Sequence, residues 1–244
     1  MEEQKQFVAT EEAKAQAKQL RLFAFLAWLV AIAGEIFAIV KLIHDDTLVW
    51  LIVTMVGILA LAVLGSFLWK KANRLDPASE KDKVKFFIQS QLGAIMAVLA
   101  FLPLIIFIFT DKEASSKTKG IAGAAAIVGL LIAGITGIDF NPPSVEKYTA
   151  QINEQTDAIM DLTNGVDHVF WTPSGNKLHI FDDCQHIRNS EVSDGTVKDA
   201  WEARGIDNNE ICKTCIARAE KDKVNAEDEI PSIEDLQEAG AAVD

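Results

Sequence analysis

The sequence predicts an α-helical membrane protein with four transmembrane helices and a small α+β metal-binding domain in the cytoplasm. Three observations carry that prediction. Apolar residues gather before position 139 in four runs, each long enough to cross a bilayer core of about 30 Å at about 1.5 Å rise per residue. All three cysteines lie beyond position 183, with histidines close by. Charge divides the same way: residues 1–138 carry 14 Lys and Arg against 12 Asp and Glu, and residues 139–244 carry 9 against 23.

Residues 1–19 are polar and rich in Ala, Glu, Gln and Lys, which suits a short solvated helix. Acidic residues precede the first apolar run and no small-residue cleavage site follows a short core, so the run reads as an uncleaved membrane helix rather than a secretory signal. The four spans of the transmembrane domain, 20–138, are Leu20 to Ile43, Leu48 to Trp69, Phe86 to Phe109 and Ile121 to Ile138. None keeps a polar face for water, which separates them from the core helices of a soluble protein.

Lys and Arg in the flanks set the orientation, because they are retained on the cytoplasmic side. The amino-terminal segment, the loop from Lys70 to Lys85 and the stretch after the fourth span hold eleven of them, and the opposite side holds four. Both termini are therefore expected in the cytoplasm, as for a multi-pass protein of a bacterial inner membrane. A reducing compartment also keeps three thiols available for metal.

Glu35 is the one acidic residue inside a span, where a carboxylate is costly unless protonated, paired or wet. Two readings stay open: a neutral Glu hydrogen-bonded to Gln89 or Gln91, or a proton or cation site with Lys41 or His44 as partner. In the fourth span, Ala125 and Gly129, and Ala133 and Gly137, are spaced for close helix approach. Pro103 is expected to kink the third span, its freed carbonyl satisfied by neighbours. Trp28, Trp50 and Trp69 read as interface anchors or packing residues.

Asn141-Pro-Pro143 opens a juxtamembrane linker, 139–165. Val145, Tyr148, Ile152, Ile159 and Leu162 fall on one helical track broken at Gln155, which predicts a helix over 145–162 and offers a short face for self-association. Asn164-Gly165 ends it. Within the module, 166–223, the turn residues Pro173 to Asn176 separate Val166–Trp171 from Lys177–Phe181 and suggest a β-hairpin. Thr196 and Asp199 form a capping box that opens a helix through Ala203, with Gly205 placed to end it, and Cys215 leads into a helix over Ile216 to Lys223. Residues 224–244 are acidic and lack aromatics, the composition of a disordered tail, in which Ile230 to Leu236 is a candidate docking motif.

His179 and Cys184 form one local pair and Cys212 and Cys215 a second, with 27 residues between Cys184 and Cys212. That spacing is the sequence form of a Cys₃His zinc site, since a CxxC turn places two thiolates on one edge of a tetrahedron and a second pair supplies the other. His186, two residues past Cys184, competes with His179 as the nitrogen ligand. His168 reads as a surface or strand histidine.

The run Trp171-Thr-Pro-Ser-Gly175, His179, Cys184 and Cys212-Lys-Thr-Cys215 resembles, loosely, the metal-binding domain of the Ada DNA-repair protein. It looks like a module attached to the C-terminus of bacterial multi-span membrane proteins. The resemblance covers about fifty residues. It implies a metal-binding role for His179, Cys184, Cys212 and Cys215 and no more, because Ada-type sites use four cysteines where this chain has His179.

A domain this acidic argues against a nucleic-acid partner, since that binding rests on neutralising phosphates with Lys and Arg. No nucleophile elbow or phosphate-binding glycine loop is present, and a zinc ion with four protein ligands has no open position for water. The expectation is a non-enzymatic membrane adaptor or complex subunit, with the bilayer and other protein subunits, a second copy of the chain among them, as partners. Its alternative is a transport or channel component that uses Glu35, with the zinc module as a metal or redox sensor. A zinc-dependent enzyme would need one of the four ligands to be wrong.

Overall fold

The computed structural model describes residues 6–204 and 209–228. Four long helices come first: α1 Glu11–Lys41, α2 Leu48–Leu75, α3 Lys83–Thr110 and α4 Ser116–Gly137. Helix α5 follows over Val145–Leu162, then β1 Val169–Trp171, β2 Lys177–Leu178, β3 Ser193–Gly195, α6 Val197–Arg204, β4 Glu210–Ile211 and α7 Lys213–Asp228. The chain divides into two compact units, Val8–Lys147 and Met1–Phe7 with Tyr148–Asp244.

In the first unit all four helices are long and apolar enough to cross a membrane, and only 28% to 33% of each apolar window is buried inside the protein. Leu29, Val49, Trp50, Phe67 and Ile135 point outward and are each more than half exposed. Helices built this way satisfy every backbone group internally and present hydrocarbon outside.

The spans extend beyond the apolar runs because their ends are capped by polar residues. Helix α1 starts within the polar segment, at Thr10, whose hydroxyl accepts from Ala13 N at 3.1 Å. Asp82 caps α3 through Lys85 N at 3.1 Å, and Ser115 caps α4 through Thr118 N at 3.2 Å. These side chains satisfy N–H groups that have no partner in the first helical turn. At one end of the unit, Asp45 Oδ1 accepts from Ser115 N at 3.0 Å and so ties the α1–α2 connection to the α3–α4 connection. At the end that holds the α2–α3 loop, Arg21 binds Asp76 Oδ2 at 2.7 Å and its carbonyl at 2.8 Å, and Glu146 accepts from Glu80 N at 2.8 Å.

Small residues on the inner faces allow close packing. Ala31, Ile58, Ala62, Ala97, Ala100, Phe101 and Ala133 form the central layer. Trp28 and Trp69 prove to be packing residues, their indole N–H groups bonded to the carbonyls of Ala62 (3.2 Å) and Gln89 (2.8 Å). Trp50 alone of the three is exposed, at 66%. Both expected close approaches in α4 form at their glycines: Gly129 lies under the Phe101 ring and Gly137 against the backbone of Gly93 and Ala94.

Glu35 is buried, and its Oε1 accepts from the backbone N–H of Leu104 at 3.2 Å, the residue that follows Pro103. This main-chain bond stands in place of the expected bond to Gln89 or Gln91; the backbone carbonyl of Gln89 accepts from Trp69 and Asn73. His44 instead approaches Glu113, at 3.7 Å. Glu35→Gln keeps an acceptor and is expected to leave stability unchanged, whereas Glu35→Leu should cost about 0.6–2 kcal/mol, the range of single hydrogen bonds between membrane helices. Denaturant titration of the protein in detergent checks both, and equal losses would place the bond elsewhere.

In the second unit the helical track of α5 is covered by its own chain. Tyr148, Ile152 and Ile159 are fully buried; Tyr148 packs on Trp201 and on Phe7, each at 5.0 Å between ring centroids. These three positions of the expected self-association face pack within the chain, and Val145 and Leu162 at its ends are partly buried. Gln155, the break in the track, accepts from Trp201 Nε1 at 2.8 Å and donates to the carbonyl of Asn209. A polar residue is needed there because the buried indole N–H of Trp201 requires an acceptor.

The expected hairpin narrows to a single antiparallel bridge, Phe170 to His179, around a turn closed by Gly175 N to Thr172 O. Its two strands find other partners: β1 pairs antiparallel with β3, and β2 pairs parallel with β4. Helix α6 opens with the expected capping box, Asp199 N to Thr196 Oγ1 at 3.1 Å and Thr196 N to Asp199 Oδ2 at 2.9 Å, and runs to Arg204. Gly205 lies outside the described residues. Helix α7 reaches Asp228, five residues into the expected tail; the rest of that tail, with Ile230 to Leu236, lies outside the described residues.

Candidate metal centre

The small strands place the ligands. Cys212 follows β4, and its N–H donates to Leu178 O at 2.8 Å, so the β2–β4 ladder sets Cys212 beside His179. The backbone of His179 is fixed on its other side by two hydrogen bonds to Phe170, at 2.7 and 2.8 Å. Cys212 stands at the start of α7, with Ile216 N bonded to Cys212 O at 3.0 Å, and one turn later the helix supplies Cys215. Cys184 comes from a tight turn in which Ile187 N and Arg188 N both donate to its carbonyl. Arg218 on α7 clips this turn in place through Asp183 at 2.6 Å and by stacking 4.0 Å from the Phe181 ring.

The result is that one ligand atom from each of His179, Cys184, Cys212 and Cys215 lies within 4.8 Å of the other three, and all four residues are buried. The three cysteines are free thiols. With Zn–S and Zn–N distances of about 2.3 and 2.0 Å, the edges of a tetrahedral site are about 3.5–3.8 Å. The His179 Nδ1 to Cys215 Sγ distance of 3.7 Å falls in that range. Three sulfurs and one imidazole nitrogen within 4.8 Å of one another form a donor set that can hold a metal ion and that suits zinc.

The electrostatics prepare the ligands unequally. Burial raises the Cys215 thiol to about 12, against the backbone N–H groups of Phe181 and Ile180 that would lower it. Burial works to raise Cys212 as well, but N–H groups of Cys215 and Thr214 outweigh it and hold this thiol below its ordinary value. A buried thiol that resists ionisation loses its proton when a cation is bound to it, so a metal ion held here would bind with release of protons. Burial, with His186 and Arg204 nearby, also keeps the His179 imidazole below its ordinary value, in the neutral form a ligand requires.

His186 falls outside this group. It is exposed, its ring centroid lies 6.4 Å from that of His179, and its Nε2 sits 3.2 Å from Thr214 Oγ1. His168 lies beside β1, edge-on to Phe170 and 3.4 Å from Asp194. Sequence reasoning missed Arg204, a buried guanidinium that donates to the carbonyls of Gly175 (2.6 Å) and Lys177 (3.2 Å) and so holds the turn leading to His179. A lone arginine at a helix end carries no sequence signal for such a role. Comparison with protein-family models, curated proteins and solved structures yields no match to this chain.

Proposed function

We propose that this chain is a four-span protein of a bacterial inner membrane that holds a structural zinc ion in its second unit. That unit presents an interaction module to the cytoplasm as an adaptor or complex subunit, without enzymatic activity. The observation that carries the reading is the convergence of four buried ligands from three separate segments of the second unit, with only Ile187 as a buried apolar neighbour in their own cluster. So small a cluster around the ligands gains from a metal the stability that apolar packing would otherwise supply there. Four protein ligands leave the ion no position for substrate or water, which favours a structural role. The orientation rests on the distribution of Lys and Arg, eleven against four.

Fusions at the C-terminus test the orientation: green fluorescent protein should fluoresce there and alkaline phosphatase should stay inactive, and the opposite pair of results would place the module outside. Purification in mild detergent tests the adaptor role. A protein partner should accompany the native chain and be lost with Cys184→Ser, and retention of the same partner by the metal-free variant would remove the module from the interaction.

A further inference from the structure

Beside the metal centre, a cavity of about 380 Å³ opens within the second unit; His179 and Cys212 contribute to its wall, together with Lys177, His186, Lys213 and Thr214. The charge of this wall runs against its surroundings. Residues 139–244 carry 23 acidic side chains against 9 basic ones, yet two lysines and no Asp or Glu line the cavity. Lys177 is paired with Glu210 at 3.0 Å, outside the lining. Lys213 makes no ion pair among the described residues. Behind the wall, the Arg204 guanidinium holds Gly175 and Lys177 through their carbonyls, is buried, and has no carboxylate partner among the described residues. Burial lowers it only to about 10, so it remains a cation at neutral pH.

A concave site of this volume lies at the small end of the usual range for ligand pockets, roughly 300–1,000 Å³. Cationic groups collected in an otherwise acidic domain focus potential at that one place and draw in anions. Ile187 and the lysine stems give the wall an apolar part, while Thr214 and His186, 3.2 Å apart, offer hydrogen-bonding groups. We propose that this cavity is a binding site for a small soluble anion, a compact molecule with one phosphate or carboxylate head and a short apolar body. Lys213 and Lys177 receive the head. Because His179 and Cys212 share the wall, an occupant sits against the metal centre without displacing a ligand from it.

Isothermal titration of the full-length protein in detergent tests this with phenyl phosphate, benzoate and, as the neutral counterpart, benzyl alcohol. One saturable site for at least one of the two anions is expected, weakened at least tenfold by Lys213→Glu and unchanged by Lys198→Glu on α6. The metal content of both variants, measured alongside, shows that the module is intact. Should Lys213→Glu disturb it, Lys177→Gln provides the same comparison. Absence of saturable binding by either anion, equal binding of benzyl alcohol, or undiminished binding in an intact lysine variant would overturn the site.

Discussion

Cys212→Ser is expected to abolish stoichiometric zinc in the purified protein and to unfold the second unit while leaving the first intact. Serine keeps the size of the side chain but removes a thiolate; structural zinc contributes about 10–16 kcal/mol at neutral pH in zinc-finger peptides, and a loss of that order exceeds what the few residues packed around the ligands supply. The residues packed around the ligands are few: Ile187 is buried and Phe170, Ile180, Phe181 and Val192 are partly so. His179→Ala should have the same effect. His186→Ala should retain the metal, since that ring lies outside the ligand group. Elemental analysis, with limited proteolysis of the module as the structural readout, checks all three. Full zinc in Cys212→Ser, or its loss in His186→Ala, would redraw the site.

Acid should release the metal by the same chemistry. The His179 imidazole sits below its ordinary 6.5 in the folded chain. The unfolded chain therefore binds its proton first, and the stability this group supplies is present above about pH 6.5 and lost as pH falls below it. Competition between protons and metal for the thiolates acts in the same direction.

Gly137→Ala is expected to produce the largest single loss of stability in the helical unit. A Cβ at Gly137 would stand 2.5 Å from Ala94 N and from Gly93 C, and a Cβ at Gly93 would stand 2.7 Å from Gly137 O. These are backbone atoms, so no rotamer change relieves the contact and α4 must move away from α3. Overpacking of this kind costs about 1–3 kcal/mol or more. Gly134→Ala is the control, because nothing lies within 4 Å of its added Cβ. Denaturant titration in detergent should separate the two variants clearly, and equal stability would mean that the two helices do not cross at these glycines.

Much of the helical unit was legible because hydrocarbon length and composition act locally. An apolar run long enough to span a bilayer forms a helix wherever its neighbours lie, and the four helices appear where the runs predict them. Their ends were less legible, since Thr10, Asp82 and Ser115 extend the helices through caps that composition does not register. The partner of Glu35 was not legible at all. Choosing Leu104 N over Gln89 depends on the rotation of α1 against α3, which is set by packing and not by any residue alone.

For the metal centre, spacing by itself determined that four residues were chemically suited to one ion and that two local pairs would supply them. The tertiary structure decided which histidine lies with the three cysteines, because the parallel pairing of Lys177–Leu178 with Glu210–Ile211 sets His179 beside Cys212, while His186 is exposed. It also decided that Tyr148 on the apolar track of α5 packs within the chain, on Trp201 and Phe7. The physical reason is common to both. Ligand type and hydrophobic period are properties of neighbouring residues, whereas which of two histidines is buried, and against what a helix packs, depend on backbone pairings between segments some thirty or more residues apart.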